Sequence, residues 1–215
     1  MPLDLARVRI EALNDLHERS RFRCSYRRIQ NFLRGNICRA QRRNALRAFV
    51  ACEEGSRTVV GYYYLTATSV EHEDVGLEAA VDFNQFNKIP AVYLGMIGVH
   101  TTYCRQGLGT ELMFDIFRQA EEVANRVGIW ALTLDAVDEE AAAYYERFDF
   151  QRFKPGSLEM YLPIDTIRAV NETRREADEE ARLEAERLLA EAANEEAVDQ
   201  QAGEGAPPAE RTIGA

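Results

Sequence analysis

The chain has 215 residues, of which 46% are hydrophobic and 29% charged, and a formal net charge of -10. That length suits one large domain or one domain with an appendage, and no apolar run is long enough to span a bilayer. The net charge conceals an asymmetry: residues 1–50 hold twelve Arg, no Lys and four acids, a balance of +8, whereas residues 171–215 hold five basic and thirteen acidic side chains, a balance of -8. The whole argues against a polyanion partner and the N-terminal part argues for one.

The opening "MPLDLARVRIEAL" has no apolar core of the signal-peptide kind. Cys24, Cys38, Cys52 and Cys104 are scattered with no C-x-x-C pair, which reads as reduced thiols in a cytoplasmic protein. The histidines form no ligand pattern with them, so no metal is expected. Residues 25–43, "SYRRIQNFLRGNICRAQRR", read as one helix capped by Ser25. Ile29, Phe32, Leu33, Ile37 and Ala40 form its apolar stripe, and Arg27, Arg28, Arg34, Arg39, Arg42 and Arg43 lie off it. A strand is expected over 46–53, a turn at "EEGS", a long strand over 57–70 and an irregular stretch over 71–90. Residues 91–99, "AVYLGMIGV", form an apolar strand whose interior glycines mark a bulge or a close backbone approach.

From Leu108 a clean amphipathic pattern runs to Val127, with Gly128 in the C-terminal capping position. A buried strand follows over 129–137, then a short helix, "DEEAAAYYERF", with Asp138 able to cap it, then one or two closing strands over 149–162. This order implies an α/β or α+β fold around one mixed sheet. After residue 168 the composition turns to strong helix formers with sparse apolar positions. The domains expected are therefore 1–168, an acidic solvated helix over 169–200 and a disordered tail over 201–215. The helix either aids solubility or binds a partner.

Between the strand and the amphipathic helix lies "TTYCRQGLGTELM". It is not a P-loop, since Gly109 is followed by Thr110 and Glu111 and not by Lys and Ser or Thr. Nor is it a dinucleotide fingerprint, since Leu112 stands where the third glycine belongs. Its backbone N–H groups still converge with those of the helix start, where the helix dipole favours an anion. Gly107 and Gly109 allow a pyrophosphate to approach the backbone, although a tight turn alone would also use them.

A second constellation, Asp138, Ala141, Tyr145, Asp149 and Phe150, follows about forty residues on. With it the chain resembles the GNAT acetyltransferase superfamily, whose loop reads Q/R-x-x-G-x-G/A and whose later helix reads N-x-x-A-x-x-x-Y-x-x-x-G-F. Cys104, Asp138 and Asp149 stand where the family has Gln or Arg, Asn, and Gly. Asp149 is the odd one: if that site needs a positive φ, an Asp there costs some strain but can adopt it. Residues 20–168, from "FRCSYRRIQNFLRG" to "LEMYLPIDTI", are similar to the TacT/AtaT-like toxin branch of bacterial toxin–antitoxin pairs.

The resemblance implies a GNAT fold, acetyl-CoA as cosubstrate and the α-amine of aminoacyl-tRNA as acceptor, which stops translation. It implies a ribbon-helix-helix antitoxin and a homodimer. Acetyl-CoA is expected on Ile97, Gly98 and Val99 of the strand, on Cys104, Arg105, Gln106, Gly107, Leu108, Gly109 and Thr110 of the loop, and at Asp138. Tyr145 is expected to protonate the leaving thiolate; the alternative is a core aromatic beside Tyr144. Arg23, Arg27, Arg28, Arg39, Arg42 and Arg43 are expected on the tRNA backbone; the alternative is an ordinary solvated face. Two competing functions are an acetyltransferase for a protein or small amine and a non-catalytic acyl-CoA-binding module.

Overall fold

The computed structural model describes residues 3–71, 83, 85 and 87–203, with side chains as far as residue 191. They fall in two compact units, Met1–Asn171 and Glu172–Ala215. The first is built on a seven-stranded sheet in the order β1-β2-β3-β4-β5-β7-β6. The strands are β1 (Val8–Ala12), β2 (Arg47–Glu53), β3 (Val59–Glu71), β4 (Lys88–Val99), β5 (Ala131–Asp135), β6 (Gln151–Arg152) and β7 (Glu159–Pro163). Only β4 and β5 pair in parallel, so the sheet is mixed, as the element order implies.

Helices α1 (Arg27–Gly35) and α2 (Ile37–Arg42) cover one face of β2 and β3, where Leu33, Ile37, Val50 and Tyr62 are fully buried. Helix α3 (Leu108–Ala124) covers the other face, packing Leu112, Met113, Ile116 and Phe117 against Leu94, Leu132 and Leu162. Each such side chain contributes roughly 1.5–3 kcal/mol of transfer free energy. Helix α4 (Glu139–Glu146) joins the same core through Ala142 and Tyr145. Helix α5 (Ile164–Gly203) begins there too, with Ile167 fully buried. In the second unit its side chains through 191 are almost all exposed, tied by local pairs such as Arg182–Glu179 and Arg187–Glu184. Gln201–Gly203 are still helical, and the rest of the expected disordered tail, 204–215, lies outside the described residues, as does most of the stretch 72–86.

Four local expectations are corrected. The helix over 25–43 is two helices, broken at Asn36 (φ -112°, ψ -24°), because adjacent Gly35 and Asn36 are both weak helix formers and Asn36 starts α2 instead. Ser25 is not its cap: Tyr26 occupies that position with no side-chain cap bond. Gly128 does not end α3, which stops at Ala124 with Asn125 at the cap; Val127, on the periodic stripe, is exposed because the chain has already turned away. Strand β1 has no counterpart in the sequence reading, since "VRIEA" is a short charged edge strand with no fully buried residue.

The bulge expected from the interior glycines is at Gly95. Tyr64 faces Met96 and Leu65 faces Leu94, leaving Gly95 as the extra residue on β4. A Cβ there would lie 2.1 Å from the Tyr64 ring, so no other residue fits without moving that ring. This bulge sits where the sheet opens. Pairing of β4 with β5 ends at Leu94↔Leu134, while β4 stays on β3 as far as Val99. Beyond Leu94 one edge of β4 faces a cleft instead of a strand.

Candidate active site

The cleft is a trough of three adjoining cavities. The first, of about 640 Å³, lies at the loop, between Arg105, Gly107, Gly109 and Thr110 on one side and Glu140 and Arg147 on the other. The second, of about 320 Å³, has apolar walls from Ile29, Ile97, Val99, Val137 and Ala141, and it meets the first at Arg105, Gly109 and Tyr144. The third, of about 550 Å³, lies beyond Tyr145 and is bordered by Arg27, Arg28, Gly95, Met96 and Asp135. Tyr145 lines the second and third together.

Local geometry explains the loop end. Arg105 (φ 58°) and Gly107 (φ 88°) are both left-handed, so the chain doubles back immediately before α3. Gly107 caps α3 with no side chain, and the first N–H groups of the helix, those of Leu108 and Gly109, have no partner within it. Leu108 is fully buried and anchors the turn in the core, so it offers only its backbone. Gln106 braces the loop: its Oε1 accepts from the Leu3 N–H (2.6 Å) and its Nε2 donates to the Thr102 carbonyl (2.8 Å). Cys104 borders the second cavity with its Sγ 3.6 Å from the His100 carbonyl oxygen. The loop is a cradle of backbone donors beside Arg105 and Arg147, and it opens into the apolar second cavity. These residues fit a pyrophosphate carrying a long thiol arm, which is the chemistry of acetyl-CoA. Arg147→Glu should raise the Kd for acetyl-CoA about 5- to 10-fold at low salt, less at high salt, measured by titration calorimetry.

The other end holds the titratable groups. Asp138 caps α4, accepting the Ala141 N–H at 2.8 Å, and its second oxygen accepts the Tyr26 hydroxyl at 2.8 Å. The Ala141 bond first, and then Tyr26, hold its carboxyl below the ordinary value. Tyr26 therefore links α1 to α4 beside the trough. Tyr145 is buried, and that burial pushes its phenol well above the ordinary value, with Tyr144, Tyr26 and Tyr93 adding to it. It stays protonated at neutral pH and can donate but not act as a base. Asp149, where the family pattern has glycine, has φ 65°, and this turn after α4 brings Phe150 back against the Tyr145 ring.

Among the six arginines, Arg27 and Arg28 border the third cavity. Arg23, Arg39, Arg42 and Arg43 are exposed but do not line the trough: Arg39 donates to Asn36 and Arg42 to Asp15. The sequence reading missed Tyr26, Tyr93, Asp135, Tyr144 and Arg147. Tyr93 donates to Asp135 at 2.9 Å, a contact between two strands that no local pattern reports.

Residues 10–150 match the family model described as "Acetyltransferase (GNAT) family". The chain is 30% identical over 161 residues to the "Probable toxin TacT" of Sinorhizobium fredii (strain NBRC 101917 / NGR234), covering 72% of this chain and 89% of that protein. It is 29% identical over 142 residues to the "tRNA-acetylating toxin" of Mycobacterium tuberculosis (strain ATCC 25618 / H37Rv), covering 66% and 83%. A solved structure of a tyrosine-to-phenylalanine mutant of the AtaT toxin, bound to the C-terminus of the antitoxin AtaR and acetyl-CoA, superposes with a TM-score of 0.64 at 25% identity, over 76% of this chain and 97% of that one. The splayed strands, the glycine loop and the matching family model all bear on one assignment: the chain belongs to the GNAT acetyltransferase family.

Proposed function

We propose that this chain moves the acetyl group of acetyl-CoA to the α-amine of an aminoacyl-tRNA and thereby arrests translation. The observation that carries the reading is the course of the trough, from a loop built for pyrophosphate, past Tyr145, to a wall of Arg27 and Arg28. The names of the relatives support it. The loop holds the pyrophosphate by the backbone N–H groups between Arg105 and Gly109, since those of Cys104 and Thr110 donate to the Thr101 and Gly107 carbonyls, and the free edge of β4 from Ile97 to Val99 pairs with the pantetheine arm. An α-amine has a pKa near 8, so roughly a tenth is neutral at pH 7 and no strong base is required. A backbone N–H near Gly98 or Val99 stabilises the tetrahedral oxyanion. Tyr145 gives its proton to the departing thiolate. The arginines take the phosphates near the acceptor end of the tRNA, with Arg27 and Arg28 closest to the chemistry and Arg23, Arg39, Arg42 and Arg43 farther out.

The proposed setting is the cytoplasm, with a ribbon-helix-helix antitoxin as partner and a homodimer as the working form. No helix among the described residues is long and apolar enough to cross a membrane. The proposed division into a catalytic domain over 1–168, an acidic helix and a tail stands beside this. A second reading, transfer to a small or protein amine, is favoured by one observation, the Asp135 carboxylate on the third cavity. A cell-free translation system separates the two. Adding the chain should arrest synthesis only when acetyl-CoA is present, and Arg27→Glu with Arg28→Glu should weaken tRNA binding about 10-fold while reducing its salt dependence by one to two phosphate contacts. Unimpaired translation beside rapid acetylation of peptides or polyamines would favour the second reading.

A further inference from the structure

Asp135 is placed as few carboxylates in the fold are. It is the last residue of β5, one step past Leu134, the final residue paired with β4. It therefore sits where the two strands part and the cleft begins. Strand alternation sends Leu134 into the core under α3 and Asp135 to the opposite face, where it is exposed on the third cavity with Tyr145. Its Oδ2 accepts the Tyr93 hydroxyl at 2.9 Å, which fixes one oxygen and leaves the other for a ligand. Arg27 and Arg28 border the same cavity, so its charge is divided: cationic at α1, anionic at the end of β5. Asp135 and Tyr93 also border an adjoining cavity of about 220 Å³, room for an amino-acid side chain.

An acceptor that presents a phosphate and an amine a few bonds apart matches this division, and an aminoacyl ester at the end of a nucleic acid is such an acceptor. Resting on the function proposed above, we infer that Asp135 binds the acceptor amine, with Tyr93 as its positioning residue. Asp135 accepts an N–H bond from the neutral amine and turns the nitrogen lone pair toward the thioester carbon. As the C–N bond forms and the C–S bond breaks, the nitrogen becomes cationic; Asp135 accepts its proton and passes it to solvent. Tyr145 supplies the separate proton that the sulfur takes, and regains one from solvent. The sum is an amide and a free thiol.

The test measures transfer of labelled acetyl to charged tRNA by the wild type, Asp135→Asn, Tyr93→Phe and the double variant. For Asp135→Asn, kcat should fall about 10- to 100-fold. Its Kd for acetyl-CoA and its Kd for uncharged tRNA should not change. Tyr93→Phe should show a smaller loss of the same kind, and the double variant should be no worse than Asp135→Asn alone, because Tyr93 acts through Asp135. A fully active Asp135→Asn enzyme, with the wild type acetylating charged tRNA, would overturn the assignment and leave the function standing. Losses that multiply in the double variant would overturn the role of Tyr93. A wild type that leaves charged tRNA untouched would overturn the function, and this assignment with it.

Discussion

Replacing Tyr145 by Phe is expected to lower kcat for acetyl transfer by about 10²- to 10⁴-fold, the ordinary value of general-acid help, while acetyl-CoA binds as before. Three features support so clean a separation. The ring is buried between Tyr144 and Phe150, so the Phe variant keeps the packing. Tyr145 lines the second and third cavities and not the cavity at the loop, so the change is confined to the middle of the trough. Burial keeps the phenol protonated at neutral pH, so a proton is present to give and the group cannot act as a base. Were Tyr145 only a core aromatic, removing its oxygen would leave kcat within about threefold of wild type. Single-turnover kinetics with bound acetyl-CoA measures the chemical step directly.

Gly107→Ala is expected to damage the cosubstrate site most among conservative changes. Gly107 has φ 88°, and a Cβ there would lie 2.8 Å from the Leu5 Cδ1 atom. Placing an L-residue in that conformation costs about 1–2 kcal/mol, and the contact with Leu5 adds to it. Leu5 can swing its methyl group aside, but the backbone relieves the left-handed φ by turning the N–H groups at the start of α3 away from the anion site. The Kd for acetyl-CoA should therefore rise about 10-fold or more. Gly128→Ala is the control: its Cβ meets nothing within 4 Å, and it should leave both stability and affinity near wild type. A Gly107→Ala protein that is less stable but binds acetyl-CoA normally would mean that the loop is a turn and no cradle.

The parts of this site that were legible in sequence are those whose chemistry is local. The loop announces itself because glycines must occupy a left-handed cap, and α4 because Asp138 caps it three residues before the N–H it bonds. Asp149 reads as an oddity in the pattern and is a left-handed residue in the fold. The bulge at Gly95 was foreshadowed by glycines in an apolar strand, although the reason that only glycine fits there, the Tyr64 ring, comes from the neighbouring strand. What sequence could not show is made between distant residues. The Tyr26–Asp138 bond joins positions 112 apart and the Tyr93–Asp135 bond joins positions 42 apart. The arginine segment differs in another way: periodicity draws one helix over 25–43, whereas the fold breaks it at Asn36, with Arg27 and Arg28 on the third cavity and Arg39 and Arg42 beyond the break.

The acceptor proposed for this enzyme is the α-amine of an amino acid esterified to tRNA. Its most direct test incubates the chain with acetyl-labelled acetyl-CoA and a pool of tRNAs, charged in one sample and deacylated in the other. Label is expected in the RNA fraction of the charged sample alone, released by mild alkali as N-acetyl amino acid. Label on added peptides or polyamines, with charged tRNA unmodified, would contradict it.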